Sequence, residues 1–287
     1  MAEIYKKPDS YPRDMVEVTT KNLHREQDLG KQPVLDVRNL GIDFGGLTAV
    51  DGFNITIGPT EISGLIGPNG AGKTTIFNLL TSVYQPTRGS ILVNGIDTKG
   101  MTTAKVNRLG VARTFQNIRL FNDMSALDNV KVGMHNAIKC SFASSLLRLP
   151  PYFKAEKKAN EKALELMDFM GLADMADAKA GSLPYGVQRR LEIVRALATD
   201  PSIILLDEPA AGMNPTETEE LMHQIRRIRD TFQIAIFLIE HDMNLVMNVC
   251  EGIVVVNYGR IIAKGTPEQI KENPAVIEAY LGKKEDK

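Results

Sequence analysis

The sequence has no tryptophan, only two cysteines, and few aromatic residues, which make up 6% of its 287 residues. This scarcity argues against a stacking platform for single-stranded nucleic acid. Lys and Arg number 34 against 35 Asp and Glu, so the formal net charge of −1 offers no basic field for nucleic acid and no acidic excess typical of disorder. Cys140 and Cys250 lack CxxC spacing and neighbouring histidines, and we expect reduced thiols instead of a disulfide or a metal site.

Long apolar runs are also missing. The first ten residues, MAEIYKKPDS, contain no apolar core of a secretory signal. The longest apolar stretches, such as IAIFLI at 234–239, have strand length and fall far short of the ~20 residues that span a bilayer. Hydrophobic residues make up 43% of the chain and charged residues 24%, as in ordinary globular proteins. We therefore expect a chain that is soluble when isolated and long enough for a large core.

Short apolar strands predict an α/β core that begins near residue 33. Residues 1–32 are polar with mixed charge, and we interpret them as a mobile extension; a partner-docking arm is the alternative. Residues 33–287 are predicted to form one domain. The predicted strands are VLDVRNLGIDF (34–44), FNITI (53–57), EISGLIG (61–67), SILVNGID (90–97), SIILLD (202–207) and IAIFLIEH (234–241).

A helical insertion, about residues 117–182, is predicted within this core. Its segment 154–172 is rich in Ala, Leu, Lys and Glu, and it places Leu164, Met167 and Met170 on one stripe. We interpret these three residues as packing residues and not as a cofactor site.

The C-terminal segment, residues 253–287, is predicted to form a hairpin and a helix. IVVVNYGRIIAKG predicts two strands with Gly259 at the turn. TPEQIKENPAVIEAYLG (266–282) predicts a helix with Thr266 as N-cap and Gln269 three residues later.

The segment GPNGAGKT at residues 67–74 matches the phosphate-binding pattern G-x-x-x-x-G-K-[ST] at each fixed position. A structural glycine-rich turn is the alternative, but the motif follows a predicted strand and opens a predicted helix, as a P-loop does. Lys73 is predicted to reach the β- and γ-phosphates, and Thr74 to bind Mg²⁺ through its hydroxyl. The predicted nucleotide-binding residues of this loop are Gly67, Pro68, Asn69, Gly70, Ala71, Gly72, Lys73, Thr74 and Thr75.

An acidic pair follows the apolar strand in IILLDEP (203–209). Asp207 is predicted to hold Mg²⁺, usually through water, and Glu208 to orient or deprotonate the attacking water. Acidic pairs are common at strand ends, but beside a P-loop this pair indicates nucleotide hydrolysis.

The order of the motifs resembles that of the ATP-binding-cassette ATPases. After the P-loop come TFQN (114–117), LPYGVQRR (183–190), LLDEPAAGMNP (205–215) and IEHDM (239–243), and the resemblance covers nearly the whole chain from Val34 onward. It implies a P-loop α/β fold with a mixed sheet core, an N-terminal antiparallel β part and an inserted helical subdomain. It also implies that ATP and Mg²⁺ are bound.

The resemblance implies roles for three more residues. Gln116 matches the glutamine that contacts the γ-phosphate and Mg²⁺, beside the contact with a membrane subunit. His241 matches the switch histidine that contacts the γ-phosphate. Phe44 matches the aromatic residue that stacks on adenine, although a single Phe at a strand end is also typical of a core residue.

The family's signature segment, usually L-S-G-G-Q, corresponds to residues 183–187, and the resemblance implies that it caps ATP held by a second cassette. Pro184 stands where the serine donates its hydroxyl, whereas Gly186 and Gln188 remain close to the pattern. Proline has neither a hydroxyl nor an N–H, and a hydrogen bond to a charged group is worth ~1.5–3 kcal/mol. We therefore expect a weakened ATP site. Asn214 also replaces an aspartate that links the two sites.

Several stretches resemble the cassette subunit of branched-chain amino-acid importers, among them FGGLTAV, ARTFQNIRLF and GTPEQIKENP. This implies import of leucine, isoleucine or valine. The implied partners are two transmembrane permease subunits, a second and non-identical ABC ATPase (or a homodimer), and indirectly a substrate-binding protein. The implied location is the cytoplasmic face of the membrane. Urea or amide import and lipopolysaccharide export are alternatives. A cassette ATPase acting on DNA or ribosomes is disfavoured because the chain has one cassette and no basic excess.

Overall fold

The computed structural model of the protein describes residue 28 and residues 30–136 and 150–281. The chain divides into two compact units. The first unit consists of the chain up to Val111 and from Ser202 onward, and the second consists of Ala112–Pro201. No helix in the described part of the chain combines the length and the apolar character needed to cross a bilayer.

The described residues contain ten strands, which are β1 (Leu35–Phe44), β2 (Leu47–Ile57), β3 (Ile62–Ile66), β4 (Arg88–Val93), β5 (Ile96–Asp97), β6 (Val111–Arg113), β7 (Ile203–Asp207), β8 (Ala235–Ile239), β9 (Gly252–Asn257) and β10 (Arg260–Gly265). They also contain nine α-helices, which are α1 (Lys73–Leu80), α2 (Thr103–Arg108), α3 (Ala126–Gly133), α4 (Pro150–Phe169), α5 (Tyr185–Leu197), α6 (Pro215–Phe232), α7 (Met243–Val249), α8 (Pro267–Lys271) and α9 (Pro274–Leu281).

One sheet has four antiparallel strands in the order β2-β1-β4-β5. The single strand predicted over 90–97 was wrong, because the chain reverses between β4 and β5. Asn94 and Gly95 form this turn with φ angles of 49° and 78°. Two positive φ angles at an Asn-Gly pair are the signature of a tight hairpin turn.

The second sheet has six strands in the order β10-β9-β3-β8-β7-β6. Strands β3, β8 and β7 lie side by side in parallel, β9 runs parallel to β3, and β10 is antiparallel to β9. Every residue of β3, β7 and β8 is buried, which explains their continuous apolar sequences. Helix α1 packs on this core through Phe77, whose ring lies 5.3 Å from the ring of Phe237. The parallel arrangement brings the carboxyl ends of β3, β7 and β8 to one edge.

The second unit contains α3, α4 and α5. The predicted packing stripe of α4 is partly wrong. Met167 and Met170 are buried, but Leu164 is 40% exposed, and Ala163 and Leu166 are buried instead. The buried positions follow i, i+3, i+4 and i+7 from residue 163, so Leu164 lies at the edge of the apolar face.

The C-terminal segment forms the predicted hairpin, with Tyr258 and Gly259 at the turn. The predicted N-cap is confirmed, since the Thr266 side chain and Gln269 form a reciprocal capping box. The single helix predicted over 266–282 was wrong in extent: it is split into α8 and α9, and Pro274, which has no N–H, begins the second helix. Cys250 is a free, buried thiol among the described residues, and Cys140 lies outside them.

Candidate nucleotide-binding site

The P-loop connects the end of β3 to the start of α1, as the motif predicts. The Lys73 side chain folds back into the loop, and its Nζ donates hydrogen bonds to the carbonyl oxygens of Gly67 (2.7 Å) and Pro68 (3.0 Å). Burial lowers the pKa of Lys73, and the negative charges of Glu208 and Asp207 oppose this shift. The lysine therefore lies within electrostatic reach of Glu208, the predicted catalytic carboxylate, and of Asp207, the predicted Mg²⁺ ligand.

Two contacts hold the P-loop against the β9–β10 hairpin. A Cβ atom added to Gly67 would lie 2.1 Å from the carbonyl oxygen of Val256, so only glycine allows this approach. At the other end of the loop, the N–H of Gly259 donates to the carbonyl of Ala71 at 2.9 Å. The loop is thus fixed by main-chain packing to a strand that follows it by almost two hundred residues in sequence.

The acidic pair lies at the carboxyl end of β7. Asp207 is buried, and Glu208 adopts a left-handed backbone conformation with φ 50°. Its N–H donates to the carbonyl of Ile239 at 2.9 Å, at the end of the neighbouring parallel strand β8. This conformation is unfavourable for a residue with a side chain, and such residues cluster at functional sites.

His241 follows β8 and contacts Glu208. Its Nε2 lies 2.8 Å from Oε1 of Glu208, and the imidazole is exposed on its other side. The structure therefore brings together the residues predicted at three strand ends: Lys73 after β3, Asp207 at the end of β7 with Glu208 next to it, and His241 after β8.

Glu240 was missed by the sequence analysis, which considered only the histidine that follows it. Its buried carboxylate accepts hydrogen bonds from the N–H groups of Ala210 (2.6 Å), His241 (3.0 Å) and Asp242 (3.4 Å). Burial raises the pKa of Glu240, and these three N–H groups counteract the shift. The side chain fixes the loop after Glu208 to the segment that carries His241.

Tyr280 on α9 is a second residue that sequence reasoning did not find. Partial burial raises its pKa, and the nearby main chain of Gly67 opposes the shift. The C-terminal helix therefore reaches the first glycine of the P-loop.

The residues at this edge have the chemistry that Mg²⁺ requires. Mg²⁺ prefers oxygen ligands and is held in phosphate sites by one or two protein groups, and the hydroxyl of Thr74 and the carboxylate of Asp207 supply such groups. A site of three or more His, Cys, Asp or Glu side chains is not found among the described residues. The oxygen donors of Thr74 and Asp207 fit a cation shared with phosphate oxygens.

The second unit contains Gln116 and the signature segment. Pro184 is the N-cap of α5 and provides no side-chain hydrogen bond, and Gly186 lies in the first helical turn. The Gln188 side chain donates back to the carbonyl of Leu183 at 2.7 Å. The buried side chain of Arg189 donates to the carbonyl of Gln116 at 2.6 Å, a contact that no sequence motif indicated.

Comparison with known proteins identifies the family. A family model described as ABC transporter matches residues 50–211, and another, described as branched-chain amino acid ATP-binding cassette transporter, matches residues 260–286. The chain is also 47% identical over 251 residues to the high-affinity branched-chain amino acid transport ATP-binding protein BraF of Pseudomonas aeruginosa. It is 48% identical to the protein LivG of the same description from Escherichia coli K12. Each alignment covers 88% of this chain and 98% of the relative.

The chain belongs to the ABC transporter family. Within this family it is an ATP-binding subunit and an ATPase. The crystal structure of the ADP conformation of an ATP-binding cassette of an ABC transporter superposes with a TM-score of 0.76 at 30% identity, and it covers 88% of this chain and 100% of that one. The predicted ABC ATPase fold, with its antiparallel sheet and mixed sheet, is confirmed.

Phe44, at the end of β1, is 43% exposed and makes an edge contact with Tyr84 at 5.3 Å between ring centroids. An exposed ring in the unit that carries the P-loop is consistent with the role that ABC ATPases give this position, whereas a core residue would be buried. Asn214, which replaces the family's aspartate, caps α6 and forms a capping box with Glu217. The role of Phe44 in stacking on adenine stays a prediction, and so does the effect of Asn214 on the link between the two ATP sites.

Proposed function

We propose that this chain is the ATP-hydrolysing subunit of an importer of branched-chain amino acids. The observation that carries the proposal is the extent of the similarity to BraF and LivG, which spans 98% of each of those proteins. The second family match, at residues 260–286, supports the same assignment, because it falls on the C-terminal segment outside the general ABC match.

In this proposal the P-loop binds the phosphates of ATP. The N–H groups between Gly67 and Thr75 face the phosphate oxygens at the start of α1. The ammonium group of Lys73, which hydrogen-bonds to loop carbonyls, turns to the β- and γ-phosphates. Thr74, Asp207 and Gln116 are the residues that would hold Mg²⁺, which would neutralise phosphate charge when bound.

Glu208 acts as the general base in the hydrolysis step. The water oxygen attacks the γ-phosphorus, the bond from that phosphorus to the bridging oxygen of ADP breaks, and the water proton passes to the carboxylate. His241 lies 2.8 Å from this carboxylate and orients it while its exposed edge faces the γ-phosphate. Glu240 anchors both segments through main-chain hydrogen bonds, so the base and the histidine keep a fixed separation.

The proposed assembly contains two transmembrane permease subunits and a second cassette, with a substrate-binding protein that delivers leucine, isoleucine or valine. The chain then lies on the cytoplasmic face of the membrane. In a heterodimer, the ATP site capped by residues 183–187 is the weaker one because Pro184 lacks a hydroxyl; in a homodimer both sites are weakened.

Purification of the tagged chain from its native membranes in mild detergent tests the proposed assembly, with the untagged strain as control. We expect mass spectrometry to identify two polytopic membrane proteins and a second, different cassette. A single type of cassette with the same membrane proteins would indicate the homodimer. Ribosomal or DNA-bound partners without membrane proteins would contradict the proposal.

A further inference from the structure

Arg189, in the second turn of α5, has a side chain with 0% exposure in the second unit. All four hydrogens of its two terminal nitrogens have partners. Nη1 donates to the carbonyl of Phe115 (2.6 Å) and to the Glu192 carboxylate (3.1 Å). Nη2 donates to the carbonyl of Gln116 (2.6 Å) and to the hydroxyl oxygen of Tyr185 (3.2 Å). The guanidinium thus joins two consecutive main-chain carbonyls to the signature helix.

Glu192, one turn further along α5, extends this contact. Its buried Oε1 accepts a hydrogen bond from the N–H of Arg119 at 3.3 Å, and its Oε2 pairs with Arg189. The Arg119 guanidinium lies 4.0 Å from the centroid of the Phe115 ring. Three main-chain groups within residues 115–119 are therefore held by two adjacent side chains of one helix.

A purely structural buried ion pair is the other explanation. Two features argue against it. The contacts of Arg189 end on the main-chain carbonyls of Phe115 and Gln116, the segment from which the Gln116 side chain projects. In addition, the Nε of Arg189 is buried without a hydrogen-bond partner in the described structure, which is unfavourable, and a core selected only for stability would avoid it.

We propose that Arg189 is a positioning residue for Gln116. It holds the main chain of Gln116 to the first turns of α5, so that the glutamine and the signature segment, residues 183–187, move as one body. This inference rests on the proposed role of Gln116 in ATP hydrolysis. It predicts that the ATPase rate depends on the forked shape of the guanidinium and not only on its charge.

The substitution Arg189→Lys tests this prediction. Lysine keeps the charge beside Glu192, but its single ammonium group cannot donate to two carbonyls in the planar fork that arginine provides. We expect kcat for ATP to fall by about 10²-fold in the complete transporter complex, the scale of a 1 Å misplacement of a catalytic group. The dissociation constant for ATP, measured in a Glu208→Gln background, should change by less than about threefold. Arg226→Lys is the matched control, because Arg226 also donates to a main-chain carbonyl, that of Asn248, in an exposed position.

A double-mutant cycle with Gln116→Ala separates positioning from general stability. If Arg189 acts through Gln116, the double variant should be no slower than the slower single variant. If the double variant instead loses kcat by the product of the two single losses, the inference is overturned. A normal kcat for Arg189→Lys alongside a lowered kcat for Gln116→Ala would overturn it as well. A normal rate for Gln116→Ala would overturn the role proposed for Gln116 itself, and this inference with it.

A second variant covers the case in which Arg189→Lys fails to fold, as judged by thermal unfolding. Glu192→Gln removes the opposite charge beside the guanidinium but leaves both carbonyl contacts available. We expect a smaller loss of kcat and the same non-additivity with Gln116→Ala. Additive losses in this cycle would also overturn the inference.

Discussion

The substitution Gly67→Ala tests how tightly the P-loop is fitted to β9. A Cβ atom at Gly67 would lie 2.1 Å from the carbonyl oxygen of Val256, whereas real contacts of this kind exceed 3.0 Å. The main chain must therefore retreat by about 1 Å. Because the carbonyl of Gly67 accepts a hydrogen bond from Lys73, the displacement moves the lysine as well. We expect a displacement of this size to lower the affinity for ATP by about 10²-fold, which corresponds to about 2.8 kcal/mol of binding free energy.

Gly70→Ala is the matched control in the same loop. Gly70 has φ 77°, but no heavy atom lies within 4 Å of the added Cβ, so only the left-handed backbone is unfavourable for alanine. That cost, about 1–2 kcal/mol, falls on the stability of the fold, so the loss of ATP affinity should be smaller than for Gly67→Ala. ATP affinity can be measured by fluorescence titration in a Glu208→Gln background. Wild-type affinity for Gly67→Ala, or a larger loss for Gly70→Ala, would refute the reasoning.

Three further substitutions probe a helix cap, a buried lysine and the signature segment. Asn214→Ala removes the capping box of α6 and should lower the free energy of unfolding in urea by about 1 kcal/mol. Burial lowers the pKa of Lys264 from 10.5 to about 7. Charging it in the fold is therefore unfavourable, and Lys264→Met should stabilise the protein by roughly 3–5 kcal/mol below pH 7. Pro184→Ser supplies a hydroxyl and should increase ATP-dependent cassette association, measured by light scattering.

Each of these predictions has a result that contradicts it. Asn214→Asp keeps the cap and serves as the control, so an equal loss in both Asn214 variants would exclude capping as the cause. The gain from Lys264→Met should shrink as the pH rises from about 7 through 10.5, above which the amine is neutral in both states; a constant gain between about pH 6.5 and about pH 9.5 would contradict the burial argument. Unchanged association of Pro184→Ser would show that the hydroxyl is not the missing interaction.

Much of the fold could be predicted from the sequence, because strands, turns and helix ends are marked by residues that are close together in the chain. The runs at 202–207 and 234–241 are apolar on both faces and became the central strands β7 and β8. Thr266 and Gln269 predicted a helix start through contacts three residues apart. The errors also have local causes: the Asn-Gly pair at 94–95 and Pro274 were present as turn and helix-break signals, but each was taken as part of a longer element.

The contacts that shape the site could not be predicted in the same way. Glu240 and Tyr280 act through the main chain of residues distant in sequence, and no spacing pattern identifies such partners. Arg189 follows the signature segment and has the sequence appearance of a solvent-facing helical charge, yet tertiary packing buries it completely. The P-loop and strand-end motifs locate the chemistry, whereas three-dimensional packing determines how rigidly it is held.

Leucine uptake in cells whose own copy of this chain is replaced by Glu208→Gln tests the proposed function most directly. Loss of a general base commonly lowers a rate by 10²–10⁴-fold, so we expect labelled leucine uptake to fall to background while the variant still binds ATP and still co-purifies with its membrane partners. Restoration by the wild-type chain is the control. Normal leucine uptake in the Glu208→Gln cells would contradict the assignment of this chain as the ATPase that drives branched-chain amino-acid import.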